Sequence, residues 1–257
     1  MKISNEFYQL SFASSEEDLQ AAQRLRYAVF VEEMGARVSA EDRALMLERD
    51  AFDPFFDHLL LRDLRVDDPI DQVVGIYRIM TQEAAVRGIG FYSQNEYDLS
   101  PLMTSGRKIL ELGRSCLHPK HRKGSALHIL WNGLADYITK NEVEILFGTA
   151  SFPGVDVKPL ADSLSHLHHS YLAPQALRVR VKAPQGIDMN ILDKECVDRR
   201  RAVATLPALL KAYLRLGGFV GEGAWVDPEF NTTDVCLIVD VSKISLRQKS
   251  IYSSAEL

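Results

Sequence analysis

Three observations predict a protein of the α/β (α+β) class, with a mixed central sheet flanked by helices and with extra helices and strands towards the C-terminus. Short apolar-rich runs at 7–12, 72–80 and 232–241 read as strands, and the run at 109–117 alternates. Between such runs apolar residues recur at helical spacing, as at Leu19, Ala22, Leu25 and Val29. The stretch 108–153 then reads strand, basic turn, helix, strand, which is a βαβ unit.

The elements follow in order. Residues 7–12 form a first strand. Ser14-Ser15-Glu16-Glu17 has the capping-box pattern, with Ser14 as N-cap and Glu17 three later. The helix behind it runs to Gly35, whose freedom at positive φ ends it. Residues 39–49 predict a short helix, and Asp50-Ala51-Phe52-Asp53-Pro54 an acidic turn. Strands follow at 58–61 and 72–80, joined by a charged hairpin loop. Residues 87–107, with three glycines and Pro101, read as a long loop with one helical turn at most. In the βαβ unit, Ile109, Leu110, Leu112, Cys116 and Leu117 mark the first strand. Leu127, Leu130, Trp131, Leu134, Tyr137 and Ile138 mark the helix, and 143–147 the second strand. A helix over 159–171 and a strand over 177–181 come next. Asp198 and three arginines precede an apolar helix over 206–216, which starts at Pro207 and stops at Gly217-Gly218. A single domain over 1–257 is expected, with a core over about 1–155, an elaboration over about 156–241 and a polar tail from 242.

Composition bounds the function. A formal net charge of −5 over 257 residues argues against a general nucleic-acid surface. The three cysteines, Cys116, Cys196 and Cys236, lie far apart without metal-type spacing and read as reduced thiols. No stretch has the length of a signal-peptide core or a membrane span, so the expected location is cytoplasmic, with any membrane contact peripheral.

Several residues have both a structural and a chemical reading. Glu111 and Arg114 form either a strand-end ion pair or an acid–base pair. Arg26 and Phe30, four apart, share one side of a helix. Asp50 and Asp53 are turn and cap chemistry, or a holder for an amine or a cationic side chain. Arg78 lies inside a strand, where an inward Arg needs a carboxylate. The basic elbow His118-Pro119-Lys120-His121-Arg122-Lys123-Gly124 sits where strand meets helix, a place suited to a phosphorylated group. His166, His168 and His169 are second candidates for a base; they lack a fourth ligand, and no metal is expected. The arginines and apolar run of 199–216 suit a membrane or acidic protein surface, or simply core packing.

The run ELGRSCLHPKHR, followed by ILWNGLADYI and FGTASFPG, resembles the bacterial L-ornithine N-acyltransferases that begin ornithine-lipid synthesis. The later runs LSHLHHSYLAP, LPALLKAYLRLGGFVGEGAWVD and FNTTDV agree, so the resemblance spans about 25–241. That family belongs to the GNAT-like acyltransferases. A more distant resemblance is to acyl-homoserine lactone synthases: Arg26 and Phe30, Asp50 and Asp53, Arg78 after Gly75, and Glu111 with Arg114 follow their order. The elbow departs from the usual GNAT loop, with His121 at its first position and one glycine, Gly124.

The resemblance implies acyl transfer from a phosphopantetheine thioester, borne by acyl carrier protein, to L-ornithine, with no separate cofactor. It implies Glu111 as base, with Arg114 pairing with it or orienting the acceptor. Arg26, Phe30, Asp50, Asp53 and Arg78 would shape the acceptor pocket. Backbone N–H groups of Ser115, Cys116 and Leu117 would meet the oxyanion. Lys120, Arg122, Lys123 and Gly124 would hold the donor. An acyl-homoserine lactone synthase, an acyl-CoA-dependent GNAT enzyme and a non-catalytic acyl- or carrier-binding module are the alternatives.

Overall fold

The computed structural model describes residues 2–244. The tail expected from 242 therefore lies almost wholly outside the described residues. Contacts cluster into two units, residues 2–89 with 112–143, and residues 90–111 with 144–244.

In the first unit, β1 (Lys2–Ser4), β2 (Tyr8–Phe12), β3 (Asp57–Asp63) and β4 (Val73–Thr81) pair antiparallel in sequence order. The far side of β4 meets β6 (Ile109–Leu117), whose residues from Leu112 onward belong here. Two helices cover the strands. α1 (Glu16–Arg26) buries Ala21, Ala22 and Leu25 against Leu60, Val73, Ile76 and Cys116. α5 (Ala126–Lys140) packs its apolar stripe of Ile129, Leu130 and Leu134 over β2, β3 and β4. Gly75 leaves room for side chains of β6 and β3: a Cβ there would stand 2.7 Å from Leu117 Cδ2 and 3.3 Å from Leu61 Cβ.

Two local expectations shift. The cap of α1 is Ser15, whose hydroxyl accepts from the Asp18 amide at 3.2 Å, one residue later than the capping-box spacing suggests. The α-helix also stops at Arg26, and Tyr27–Glu33 widens into a π-helix before Gly35. Residues 39–49 hold only the short α2 (Ala40–Leu45).

In the second unit, β6 begins and pairs in parallel with β7 (Ile145–Pro153), Glu111 opposite Phe147. β12 (Thr232–Asp240) pairs antiparallel with β7 over its whole length and is buried throughout. β11 (Ala224–Asp227) and β9 (Gly186–Ile187) continue outward, and β10 (Phe219–Val220) also joins β12. The strand expected at 143–147 thus runs on to Pro153. The long loop holds more order than expected. After α3 (Gln82–Arg87) of the first unit, which precedes it, it contains a 3-10 turn (Tyr92–Asn95), β5 (Tyr97–Asp98) and α4 (Ser100–Met103). The strand expected at 177–181 shrinks to β8 (Arg180–Val181), paired with β5. α6 (Ala161–Tyr171) stands as predicted, as does the Pro207 start, here of α8 (Ala208–Arg215). The arginine run forms its own helix, α7 (Arg199–Thr205), capped by Asp198. α8 buries Leu210, Tyr213 and Leu214, so its apolar face is covered by the protein itself. No helix among the described residues is long and apolar enough to cross a membrane.

Gly75→Val should lower stability by about 1–3 kcal/mol through overpacking against Leu61 and Leu117. Urea unfolding measures this, and an unchanged midpoint would show that β3 and β6 yield there.

Candidate active site

A guanidinium keeps its charge in a protein, so burying one requires carboxylates at hand. In the first unit three arginines meet this condition together. Arg26 closes α1, Arg78 lies in β4 and Arg114 in β6. Arg26 and Arg78 are 0% exposed. The segment between α2 and β3 supplies Glu48, Asp50 and Asp53 to face them. Arg26 grips Asp53 with two prongs, Nη1 to Oδ1 at 2.6 Å and Nη2 to Oδ2 at 2.8 Å. Its Nε lies 2.5 Å from Glu48 Oε2, and Nη2 also donates to the Glu48 carbonyl. Arg78 donates Nη1 to both Asp50 oxygens at 2.7 and 2.8 Å and to Asp53 Oδ1 at 2.9 Å. The guanidinium of Arg78 also lies over the Phe56 ring, 4.4 Å from its centroid. Arg114 donates Nε to Glu48 Oε1 at 3.2 Å and Nη2 to Asp50 Oδ2 at 3.1 Å. Arg114 has φ 48°, a left-handed conformation unusual for a residue with a side chain, and one that interrupts the alternation of β6.

Asp53 is the hub. Gln23 Nε2 donates to its carboxylate at 3.0 Å, and His58 Nε2 donates to its carbonyl at 3.0 Å. Burial pushes the Asp53 carboxyl up, but the bonds and charge of Arg26, with the charge of Arg78, bring it well below the ordinary range. In Asp50, burial is likewise outweighed by Arg78 and Arg114. Burial pushes His58 down, which favours the neutral ring.

Of the two charged partners the spacing allows Asp50 and Asp53, an amine or a cationic side chain, they hold cationic side chains, the arginines. Three guanidinium groups oppose three carboxylates, and the cluster is neutral. Side-chain exposure persists chiefly at Asp50 (18%) and Arg114 (10%). Arg26 and Arg78 stand behind that accessible edge. Phe30 packs beside the core of α1 and Cys116. Glu48, Gln23 and His58 were not singled out from the sequence. The one local hint is Glu48-Arg49-Asp50: alternation points Arg49 outward, to Asp42 and Glu41, while its neighbours turn inward.

In the second unit Glu111 is 1% exposed. Its Oε2 accepts from the Tyr92 amide at 2.8 Å, and its Oε1 from the Ser93 amide at 2.7 Å and the Ser93 hydroxyl at 2.5 Å. The carboxylate thus closes the 3-10 turn of Tyr92–Asn95. Phe91 stacks edge-on against Phe147 at 5.0 Å, beside Glu111 in the strand register.

At the elbow Ser115 is half-buried, and Cys116 and Leu117 are buried. Burial pushes the Cys116 thiol up to about 12, which keeps it protonated near neutrality. Arg122 is taken by Glu33 through two 2.6 Å bonds, and its Nε donates to the Leu117 carbonyl at 3.1 Å. Lys120, Lys123 and Gly124 are exposed, and Gly124 has φ 130°. Lys120, His118 and His121 line a cavity of about 420 Å³ with Leu25, Tyr27 and Val74. Burial is the main force pushing both His118 and His121 down.

In α6 the rings of His168 and His169 meet edge-on, their centroids 5.1 Å apart. His169 Nε2 donates to the Leu192 carbonyl at 2.9 Å, and His166 Nδ1 lies 3.4 Å from Ser170 Oγ. Asp162, one turn before His166, instead accepts from the Asp198 amide at 3.0 Å. Among the described residues no cluster of potential metal ligands includes these histidines.

This geometry can be set beside known proteins. An acetyltransferase (GNAT) domain pattern matches residues 25–132, the stretch that holds both the arginine cluster and the elbow. The structure of FeeM, an N-acyl amino acid synthase from uncultured soil microbes, superposes with a TM-score of 0.51 at 11% identity, over 94% of this chain and 97% of that one. Fold and matched stretch together define the GNAT-like acyltransferase fold.

Sequence similarity is more specific. An L-ornithine N(alpha)-acyltransferase of Rhodobacter capsulatus is 50% identical, over 96% of this chain and 95% of its own length. One of Agrobacterium fabrum is 41% identical, over 93% of this chain and 83% of its own length. The chain belongs to the L-ornithine N(alpha)-acyltransferase family.

Asp53→Asn should lower unfolding free energy by about 3–5 kcal/mol at pH 7, because it leaves buried guanidinium charge uncompensated. Folded Asp53 titrates below its ordinary 3.8, so its contribution is present above that pH and is lost as pH falls further. Urea unfolding at pH 7 and pH 3 measures both effects. A deficit that does not shrink at pH 3 would show that Asp53 acts through shape alone.

Proposed function

We propose that the protein transfers a (3-hydroxy)fatty acyl group from the phosphopantetheine thioester of acyl carrier protein to the α-amine of L-ornithine, giving lyso-ornithine lipid. The observation that carries this is the near full-length identity of 50% to an L-ornithine N(alpha)-acyltransferase.

The chemistry needs a free amine, because an ammonium has no lone pair. Glu111 takes the proton, directly or through a water, as the nitrogen attacks the thioester carbonyl. The oxyanion that forms is met by backbone N–H groups of Ser115 to Leu117. Its collapse breaks the C–S bond, releases the carrier thiol and leaves an amide. Cys116 takes no covalent part, since its thiol is buried and protonated.

The accessible edge of the arginine cluster suits an amino-acid acceptor: Arg114 brings a positive charge towards a carboxylate, and Asp50 a negative charge beside it. Arg26, Arg78, Asp53 and Glu48 hold that pair in place. Lys120 and Lys123, exposed and free of the Glu33 clamp that occupies Arg122, meet the phosphate or acidic side chains of the carrier.

The test is direct. Purified protein with 3-hydroxyacyl-acyl carrier protein and L-ornithine should yield the N-acylated amino acid by mass spectrometry. Acyl-CoA as donor and S-adenosylmethionine as acceptor run in parallel, and product only in one of those lanes would replace the reading.

Glu111→Gln should fold and bind carrier but turn over roughly 10²–10⁴-fold more slowly. Near wild-type turnover across pH would remove Glu111 as the base. Reversing Lys120 and Lys123 to Glu should raise KM for the carrier at low salt, with the effect fading as salt rises. An unchanged KM would move docking away from the elbow.

A further inference from the structure

We propose that Glu96, Asp227 and Asp234 form a binding site for a hard divalent cation, Mg²⁺ or Ca²⁺, in the second unit. The three are 2%, 9% and 4% exposed. One carboxylate oxygen from each lies within 4.8 Å of the others. A single ion bound to carboxylate oxygens at about 2.0–2.6 Å can reach all members of such a set.

A hairpin and a turn build the site. Asp227 ends β11, and Asp234 lies in β12. In register, Asp227 stands opposite Thr232, and Trp225 opposite Asp234. Directly opposite residues project from the same face of a sheet, as do residues two apart on a strand. Asp227, Thr232 and Asp234 therefore share one face. Glu96 enters from the turn before β5. Its neighbour Tyr97 ties that turn to the hairpin, with its hydroxyl 3.0 Å from the carbonyls of Asp234 and Gly223. Asp227 Oδ1 accepts the Glu229 and Phe230 amides at 2.8 and 2.9 Å, which fixes its carboxylate.

Thr232 is the independent observation. It is 2% exposed, and its hydroxyl has no hydrogen-bond partner among the described residues. Leaving a buried hydroxyl unsatisfied costs about 1–3 kcal/mol, so such a group points to a missing partner. This one projects from the acidic face, across from Asp227 and two residues before Asp234. A neutral oxygen beside three carboxylates is a ligand set for Mg²⁺ or Ca²⁺. With neither histidine nor cysteine among the four, it is a poor set for zinc or copper.

The site has a consequence for Glu111. Glu96 directly follows the turn of Tyr92–Asn95, whose amides hold the Glu111 carboxylate. An ion on Glu96 would pin the end of that turn and make its grip on Glu111 more rigid. This consequence rests on the catalytic reading of Glu111; the binding itself does not.

The experiment uses the full chain, freed of metal with EDTA and dialysed. Mg²⁺ and Ca²⁺ are titrated separately by calorimetry, and Tm is followed in parallel. We expect one ion per chain and a Tm rise of roughly 5 °C or more at saturation. Asp234→Asn should abolish both effects. Thr232→Val keeps the volume and removes the hydroxyl; it should weaken binding about tenfold without lowering the Tm of the metal-free protein. If Asp234→Asn does not fold, the Thr232→Val titration decides. The proposal is overturned if neither ion binds by about 1 mM, the weak end of such sites. It is also overturned if binding persists unchanged in both variants, or if L-ornithine and not the ions raises Tm in an Asp234-dependent way.

Discussion

The buried exchange of charge among Arg26, Arg78, Arg114, Glu48, Asp50 and Asp53 is the constraint that the first unit obeys. Each arginine leaves a different element, and the three carboxylates come from one short segment. Removing any member leaves a charge in a low-dielectric interior, where it costs several kcal/mol. The network therefore fixes the end of α1, the centre of β4 and the bend of β6 with respect to one another. Its specificity is geometric: two-pronged contacts at Asp53 and paired contacts at Asp50 tolerate little change of angle.

That rigidity bears on acyl transfer. A reaction between an amine and a thioester is favoured when both are held in place before the barrier is met. On the proposed reading, a cluster of three guanidinium groups and three carboxylates with one accessible edge would give such a holder. Glu111 is held differently, by backbone amides and a serine hydroxyl that are themselves part of a tight turn. In both units a functional candidate is held by groups whose own positions are locked, the arrangement that precise positioning demands.

Several elements were legible in the sequence for plain physical reasons. β12 is read from an unbroken apolar run, α5 from its stripe, α6 from its span and α8 from the proline at its start. The π-helix was not legible, because Leu25 and Val29, four apart, fit an ordinary helix. Nor were β9, β10 and β11: strands of two to four residues carry too few alternating positions to stand out. β8 was overestimated, because the apolar residues of 177–181 serve a 3-10 turn and a short bridge instead of a full strand.

The sequence by itself determined the class, the family and the residue types of the chemistry, since periodicity and motif spacing are local and survive in a linear string. It named Arg26, Asp50, Asp53, Arg78, Glu111 and Arg114 as the residues to watch. Only the tertiary structure decided who pairs with whom. It joined Arg26 to Glu48, 22 residues away, turned Asp50 and Asp53 towards arginines, and set Glu111 against the amides of Tyr92 and Ser93. It also brought Glu96 to Asp227 and Asp234 from far along the chain. Such partnerships depend on how strands are ordered and which face each side chain leaves, and a pattern of residue types carries neither until the chain has folded.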